Sequence, residues 1–151
     1  DTVMYETFVD QDPITGEDID IYYPVGVWAD PVDVDNNYRY KGFRNGLPMN
    51  DPEEMILLDD KFVNGADSLP HHMPELRFSR GDQIKLELHS LSKESYDFLR
   101  LLKSQTTSLG SSTGTSPAIL RGNLANIEDE EEVILGYFGA SAVSADSILI
   151  E

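Results

Sequence analysis

A chain of 151 residues with 28 Asp and Glu against 11 Lys and Arg carries a formal charge of −17, which repels phosphate backbones and anionic headgroups over about a Debye length and disfavours nucleic acid as a partner. Surface scaling lets a chain of this size bury roughly two thirds of its unfolded area, enough for one core, so a single domain over residues 1–151 is expected. The absence of cysteine excludes disulfides, thiolate catalysis and cysteine zinc sites but leaves the compartment open.

The chain opens at Asp1 on DTVMYETF and is expected to be a processed product or a piece of something longer, with any targeting signal in the missing part. No apolar run is long enough to span a bilayer, and no basic and then apolar leader is present. DQDPITGEDIDI, Asp10 to Ile21, approaches a calcium loop through Asp10, Asp12 and Gly16. The helix-loop-helix motif, however, wants an oxygen ligand at Ile14 and its glycine one position earlier, so an Asx turn is the better reading. Strands are predicted at Ile19 to Tyr23 and Val25 to Ala29. DPVDVDNN, Asp30 to Asn37, alternates Asp33, Asp35 and Asn37 suggestively, but Tyr38 and Arg44 stand where a glycine and a bidentate glutamate are required.

Tyr38 to Arg44 is the next predicted strand, followed by Asn45-Gly46. That pair accepts positive φ at both central positions of a tight hairpin turn and predicts pairing with a following strand. Further strands are expected at Met55 to Asp59 and Leu76 to Phe78. Between them His71 and His72 are adjacent in what reads as a loop, where an extended chain points them apart; a zinc ion would need partners such as Asp67 or Glu75 that no spacing selects. After the turn at Gly81-Asp82, QIKLELHSL alternates with Ile84, Leu86 and Leu88 on one face, the period of a half-buried strand.

Ser92 is then a good N-cap, Glu94 suits the first turn, and Leu91 can staple to Tyr96. Tyr96, Leu99 and Leu102, with Phe98 and Leu101, form an apolar stripe at helical spacing, which predicts a helix over about Lys93 to Lys103 lying on the sheet. Residues 104–117 are almost entirely Ser, Thr and Gly, too poor in apolar area to offset ordering entropy, and are expected to be a flexible loop. Glu128 to Glu132 place five consecutive carboxylates before VILGYF. Neighbours on an extended chain point to opposite sides, so this reads as a solvated turn and not a cation site. Strands at Val133 to Phe138 and Ser147 to Ile150 complete the list.

These elements predict a mainly β fold, an antiparallel sandwich or partly open barrel with one packed helix. The chain has no serine elbow, phosphate loop or dinucleotide fingerprint. With 28 acidic residues, proximity of two carboxylates carries no catalytic information unless a cleft separates their environments.

The order of motifs is informative beyond each one: Asp30-Pro31, NNYRY at Asn36 to Tyr40, the Asn-Gly turn, DDKFVNG at Asp59 to Gly65, GDQIKLELHSLSKESYDFL, Pro117, Gly122-Asn123, Ile127 and LGYFGAS at Leu135 to Ser141. This succession resembles the C-terminal part of a family of Bacteroidetes-type outer-membrane lipoproteins, classed only as a domain of unknown function and often encoded beside TonB-dependent receptors. The resemblance covers nearly the whole chain. It implies an N-terminal lipid anchor and an immunoglobulin-like domain upstream, neither present in this chain, and attachment to the outer membrane through that anchor alone. It also implies a non-enzymatic accessory or binding role on the cell surface, with a TonB-dependent transporter or another outer-membrane complex as partner. The family assigns no catalytic residues, and no cofactor or metal ligand is expected. Gly136 and Gly139 are expected to permit close backbone approach around a buried Tyr137-Phe138 pair. Alternatives are an autonomous carbohydrate- or calcium-binding β-module, with Trp28, Tyr22, Tyr23 or Tyr40 exposed on one face, a structural subunit with a large apolar patch, and a two-carboxylate hydrolase.

Overall fold

The computed structural model describes residues 2–28, 36–60, 69–107, 120, 122–128 and 136–151. Among these residues, in chain order, the strands are β1 (Thr2–Gln11), β2 (Asp18–Trp28), β3 (Asn37–Arg44), β4 (Leu47–Pro48), β5 (Ile56–Asp59), β6 (Leu69–His72), β7 (Gln83–Leu91) and β8 (Ala142–Leu149), with one helix, α1 (Lys93–Thr107), and a 3-10 turn at Pro52–Glu54. Every pairing is antiparallel. One sheet has the order β1-β2-β6; the other runs β4-β3-β7-β8, with β5 also paired to β3. Between them lies a core that draws Val3, Tyr22 and Trp28 from the first sheet, Tyr40, Ile84 and Leu86 from the second, and Ile150 from just past β8. The sheets meet at one margin through a side chain, where Asp146 Oδ2 accepts from Val3 N at 3.1 Å. Among the described residues no backbone ladder closes the seam, so the fold is a β-sandwich and not a barrel.

Local sequence explains most of these elements. Along β7 the expected alternation holds, with Ile84 and Leu86 buried. At the β3–β4 hairpin Asn45 has φ +52° and Gly46 φ +80°, and Arg44 pairs with Leu47. Asp82 binds this hairpin to the turn before β7: its carboxylate accepts from Ser79 N at 2.9 Å and Asn45 Nδ2 at 2.7 Å. The acidic loop near Asp12 is an Asx turn joining β1 to β2, where Asp12 Oδ1 accepts from Ile14 N at 2.7 Å and Thr15 N at 3.0 Å. Those bonds hold its carboxyl below the usual carboxylate range.

Several expectations need correction. The strand ending at Gln11 was absent from the predicted set, and the two strands predicted on either side of Pro24 are one, β2. Pro24 is tolerated there because its missing N–H faces a gap in the ladder. On that side Tyr22 exchanges both backbone bonds with Phe78, and the Pro24 carbonyl accepts from Met73 N at 3.1 Å. The Met73 carbonyl, which a donor at Pro24 would need, is taken by Leu76 N at 3.0 Å. Leu76 to Phe78 contributes only the bridge to Tyr22, and His71 and His72 belong to β6 and not to a loop. Gly136 to Phe138 are not strand, and the last strand begins at Ala142, five residues before the expected Ser147.

The helix begins as expected, with Ser92 Oγ accepting from Ser95 N at 3.2 Å, but it runs on through Thr107. Ser104, Thr106 and Thr107 donate their hydroxyls to the carbonyls of Leu101, Leu102 and Lys103 at 2.7–2.9 Å. Polar side chains that would otherwise compete with the backbone are thereby folded back along the helix. The rest of the predicted loop, 108–117, lies outside the described residues, as do Asp30–Asp35, Asp129–Glu132 and Val133–Leu135. α1 packs on the outer face of the second sheet, where Tyr96 donates to Asp59 Oδ2 at 3.4 Å and Lys103 to the Met55 carbonyl.

Candidate functional site

Alternation along β3 sends Tyr38, Tyr40 and Gly42 into the core and Arg39, Lys41 and Phe43 to the outer face, under α1. The register places Arg39 beside His89 and Lys41 beside Glu87 on that face. A cleft of about 340 Å³ opens there, lined among others by Arg39, His89, Ser95, Phe98, Tyr137 and Ser141. It continues outward along the first turns of α1 to Asn123 and Phe138.

The segment Gly136–Ser141 forms the cleft's second wall and is fastened at three points. Asn123 clamps the backbone of Phe138, donating from Nδ2 to its carbonyl and accepting from its amide, both at 2.7 Å. Tyr137 stacks on Phe98 with centroids 4.5 Å apart, and its hydroxyl lies 3.0 Å from Ser95 Oγ. Ser141 Oγ lies 3.0 Å from His89 Nδ1. A Cβ at Gly122 would overlap the Gly136 carbonyl, so the expected close backbone approach is present at Gly136, whereas a Cβ at Gly139 would meet only ordinary contacts at 3.6 Å or more. The expected buried aromatic pair is only half present, because Phe138 is 70% exposed while Tyr137 packs. NNYRY, the strand-then-helix unit, Gly122-Asn123 and GYFGAS, far apart in the chain, all reach this one cleft.

Its charges are unevenly satisfied. Glu87 receives Lys85 Nζ at 2.8 Å and lies 3.1 Å from His89 Nε2, and the Lys85 bond foremost keeps its carboxyl ionised below the usual range. Arg39 has no carboxylate among the described residues, and its buried Nε has no hydrogen-bond partner. Burial accordingly pulls its pKa downward. Arg39, His89, Tyr137 and Ser141 escaped the sequence reading as site residues, although the alternation in NNYRY already set Arg39 on the face opposite its two tyrosines.

The outer face of the first sheet mixes apolar and acidic side chains, with Glu6 between Met4 and Phe8 and Asp10 opposite Ile19. Met4, Phe8, Ile19, Ile21 and Tyr23 share it, because directly paired residues point to one side. Phe8 is 58% and Met4 46% exposed. A shallow groove of about 260 Å³ runs between Phe8, Ile21, Tyr23 and Pro74. Charged groups rim it: Glu6 accepts from Tyr23 at 2.8 Å and stands 3.4 Å from His72 Nδ1, and Arg77 reaches Asp10 at 3.4 Å.

Other sequence candidates fall elsewhere. Tyr22, Trp28 and Tyr40 are buried in the core, where Trp28 meets Tyr40 edge-on at 5.8 Å; with Tyr23 on the opposite face of β2, no aromatic platform for a sugar forms from these four. His71 points inward and stacks on Tyr40 with centroids 6.1 Å apart, whereas His72 points outward to Glu6. Among the described residues no three His, Asp or Glu side chains are grouped to hold a metal ion; Asp67 lies outside them. No helix among them is long and apolar enough to cross a membrane.

Comparison with protein-family models matches residues 1–147 to the Domain of unknown function DUF4249. No curated protein and no solved structure matches the chain.

Proposed function

From the premise that this chain belongs to the DUF4249 family, we propose that it is a non-enzymatic binding module of a surface-exposed outer-membrane lipoprotein, working as an accessory subunit of a TonB-dependent transporter or another outer-membrane complex. The order of motifs given above supports the setting. The observation that carries the binding role is the outer face of the first sheet, where Met4, Phe8 and Ile19 stand in solvent beside Ile21 and Tyr23. Sheet faces left in water are ordinarily polar, so large exposed apolar side chains grouped along a groove, with a few charges set among them, favour a protein contact. The rim supplies orientation through Glu6, Asp10, His72 and Arg77.

The test is recovery of the native lipoprotein from detergent-solubilised membranes, alone and as Phe8→Glu. The native protein is expected to bring an outer-membrane protein with it, and the variant to lose that protein at an unchanged melting temperature. Recovery of the native protein only as a free monomer, or retention of the partner by Phe8→Glu, overturns the reading.

A further inference from the structure

The cleft beneath α1 holds a cation that its own protein leaves unanswered. Arg39 is half-buried, its Nε is buried without a hydrogen-bond partner, and no described carboxylate pairs with it. In a chain of charge −17 a carboxylate partner is statistically the easiest one to supply. A charged group whose buried Nε–H has no partner costs stability unless something else satisfies it. The remaining polar groups at the cleft are hydroxyls of Ser95, Tyr137 and Ser141 and the His89 imidazole. The rest of the wall is apolar, from Leu91, Phe98 and Leu99. Few convergent polar groups in an otherwise apolar concavity of roughly 300 Å³ or more is the composition of a small-molecule site.

We propose that this cleft binds a small organic monocarboxylate with an apolar body, the carboxylate held by Arg39 and the body lying against Phe98 and Tyr137. A guanidinium presents parallel N–H donors in the fork that matches a planar carboxylate. A dianion such as phosphate fits less well. Lys85 on this face is already paired with Glu87, leaving one cation for two charges beside an ionised glutamate. Lys41 lies over the Phe43 ring and leans away from the cleft.

Benzoate is the probe, with benzamide as its uncharged counterpart and inorganic phosphate as the alternative anion, each titrated into the ¹⁵N-labelled full chain. Benzoate is expected to move the Arg39 Nε–H resonance saturably, with benzamide and phosphate weaker by about tenfold or more. Arg39→Met is expected to lose benzoate by a similar factor while melting no lower than the parent, since it keeps the apolar stem and removes the unpaired charge. An unmoved Nε–H resonance, equal binding of benzamide or phosphate, or undiminished benzoate binding by Arg39→Met overturns the proposal. Misfolding of the variant would leave the parent titration to decide.

Discussion

At the scale of single residues, the core is built around aromatic rings that take polar groups with them. Trp28 Nε1 is buried without a partner among the described residues, and Tyr40 approaches Gly26 so closely that a Cβ there would meet its hydroxyl at 2.5 Å. His71 stacks against the same Tyr40 ring. Burial holds the His71 pKa below its ordinary value, opposed by the Glu75 carboxylate and reinforced by His72. The unfolded chain therefore binds a proton at His71 near pH 6.5, where the folded chain does not. Stability from this residue is full above about pH 6.5 and is lost as the pH falls toward the lower folded value. Urea midpoints measured from pH 7.5 to 5 are expected to fall less steeply for His71→Phe than for the parent. His72 and His89 are common to both proteins, so the difference isolates His71; parallel curves would refute a neutral, buried imidazole.

At the scale of elements, turns do more than reverse the chain. Asp82 receives Ser79 N, Asn45 Nδ2 and, at 3.7 Å, Arg44 Nε, so one carboxylate fixes both the β3–β4 hairpin and the entry to β7. The Ser79 amide leads in holding its pKa below the usual carboxylate range. Its contribution is thus present above the unfolded value of about 3.9 and disappears as the pH falls through the folded one. Asp82→Ala is expected to cost about 1–2 kcal/mol at neutral pH, the worth of a few partly exposed hydrogen bonds to a charged group. Denaturant titration at pH 7 and pH 3 checks this: the loss shrinks at the lower pH, and equal losses at both would show that the turn needs only the side chain's bulk.

At the scale of the whole molecule, the charge of −17 is spread over a small sandwich and repels itself. Raising ionic strength shortens the reach of that repulsion from about 10 Å at 0.1 M to about 3 Å at 1 M. The melting temperature is expected to rise with sodium chloride over this range, more than for a near-neutral sandwich of similar size. A falling melting temperature would mean that the ion pairs at Glu87, Asp82 and Asp97 outweigh the excess of acid. The same scale separates the two proposed sites: the Phe8 groove belongs to the first sheet and the Arg39 cleft to the outer side of the second, so variants of Phe8 and Arg39 test independent surfaces.

Alternation by itself determined β7, the strand around Tyr40 and the mainly antiparallel β class. Asn45-Gly46 determined the hairpin, and Ser92 the first turn of α1, because in each case the signal is local: a side-chain period of two, a backbone that tolerates positive φ, a hydroxyl three residues before an orphan amide. β1 escaped because apolar residues stand on both of its faces, Val3 and Tyr5 inward and Met4 and Phe8 beside Glu6 and Asp10 outward, which blurs the contrast on which alternation depends. The continuity of β2 through Pro24 depended on Met73 and Leu76, some fifty residues away, closing the gap its nitrogen faces. The cleft was equally beyond local reading. Arg39, Phe98 and Tyr137 come to line one cleft only when antiparallel pairing and helix docking bring β3, α1 and Gly136–Ser141 together. Local chemistry chooses conformations, whereas which charges end up without partners is a property of packing.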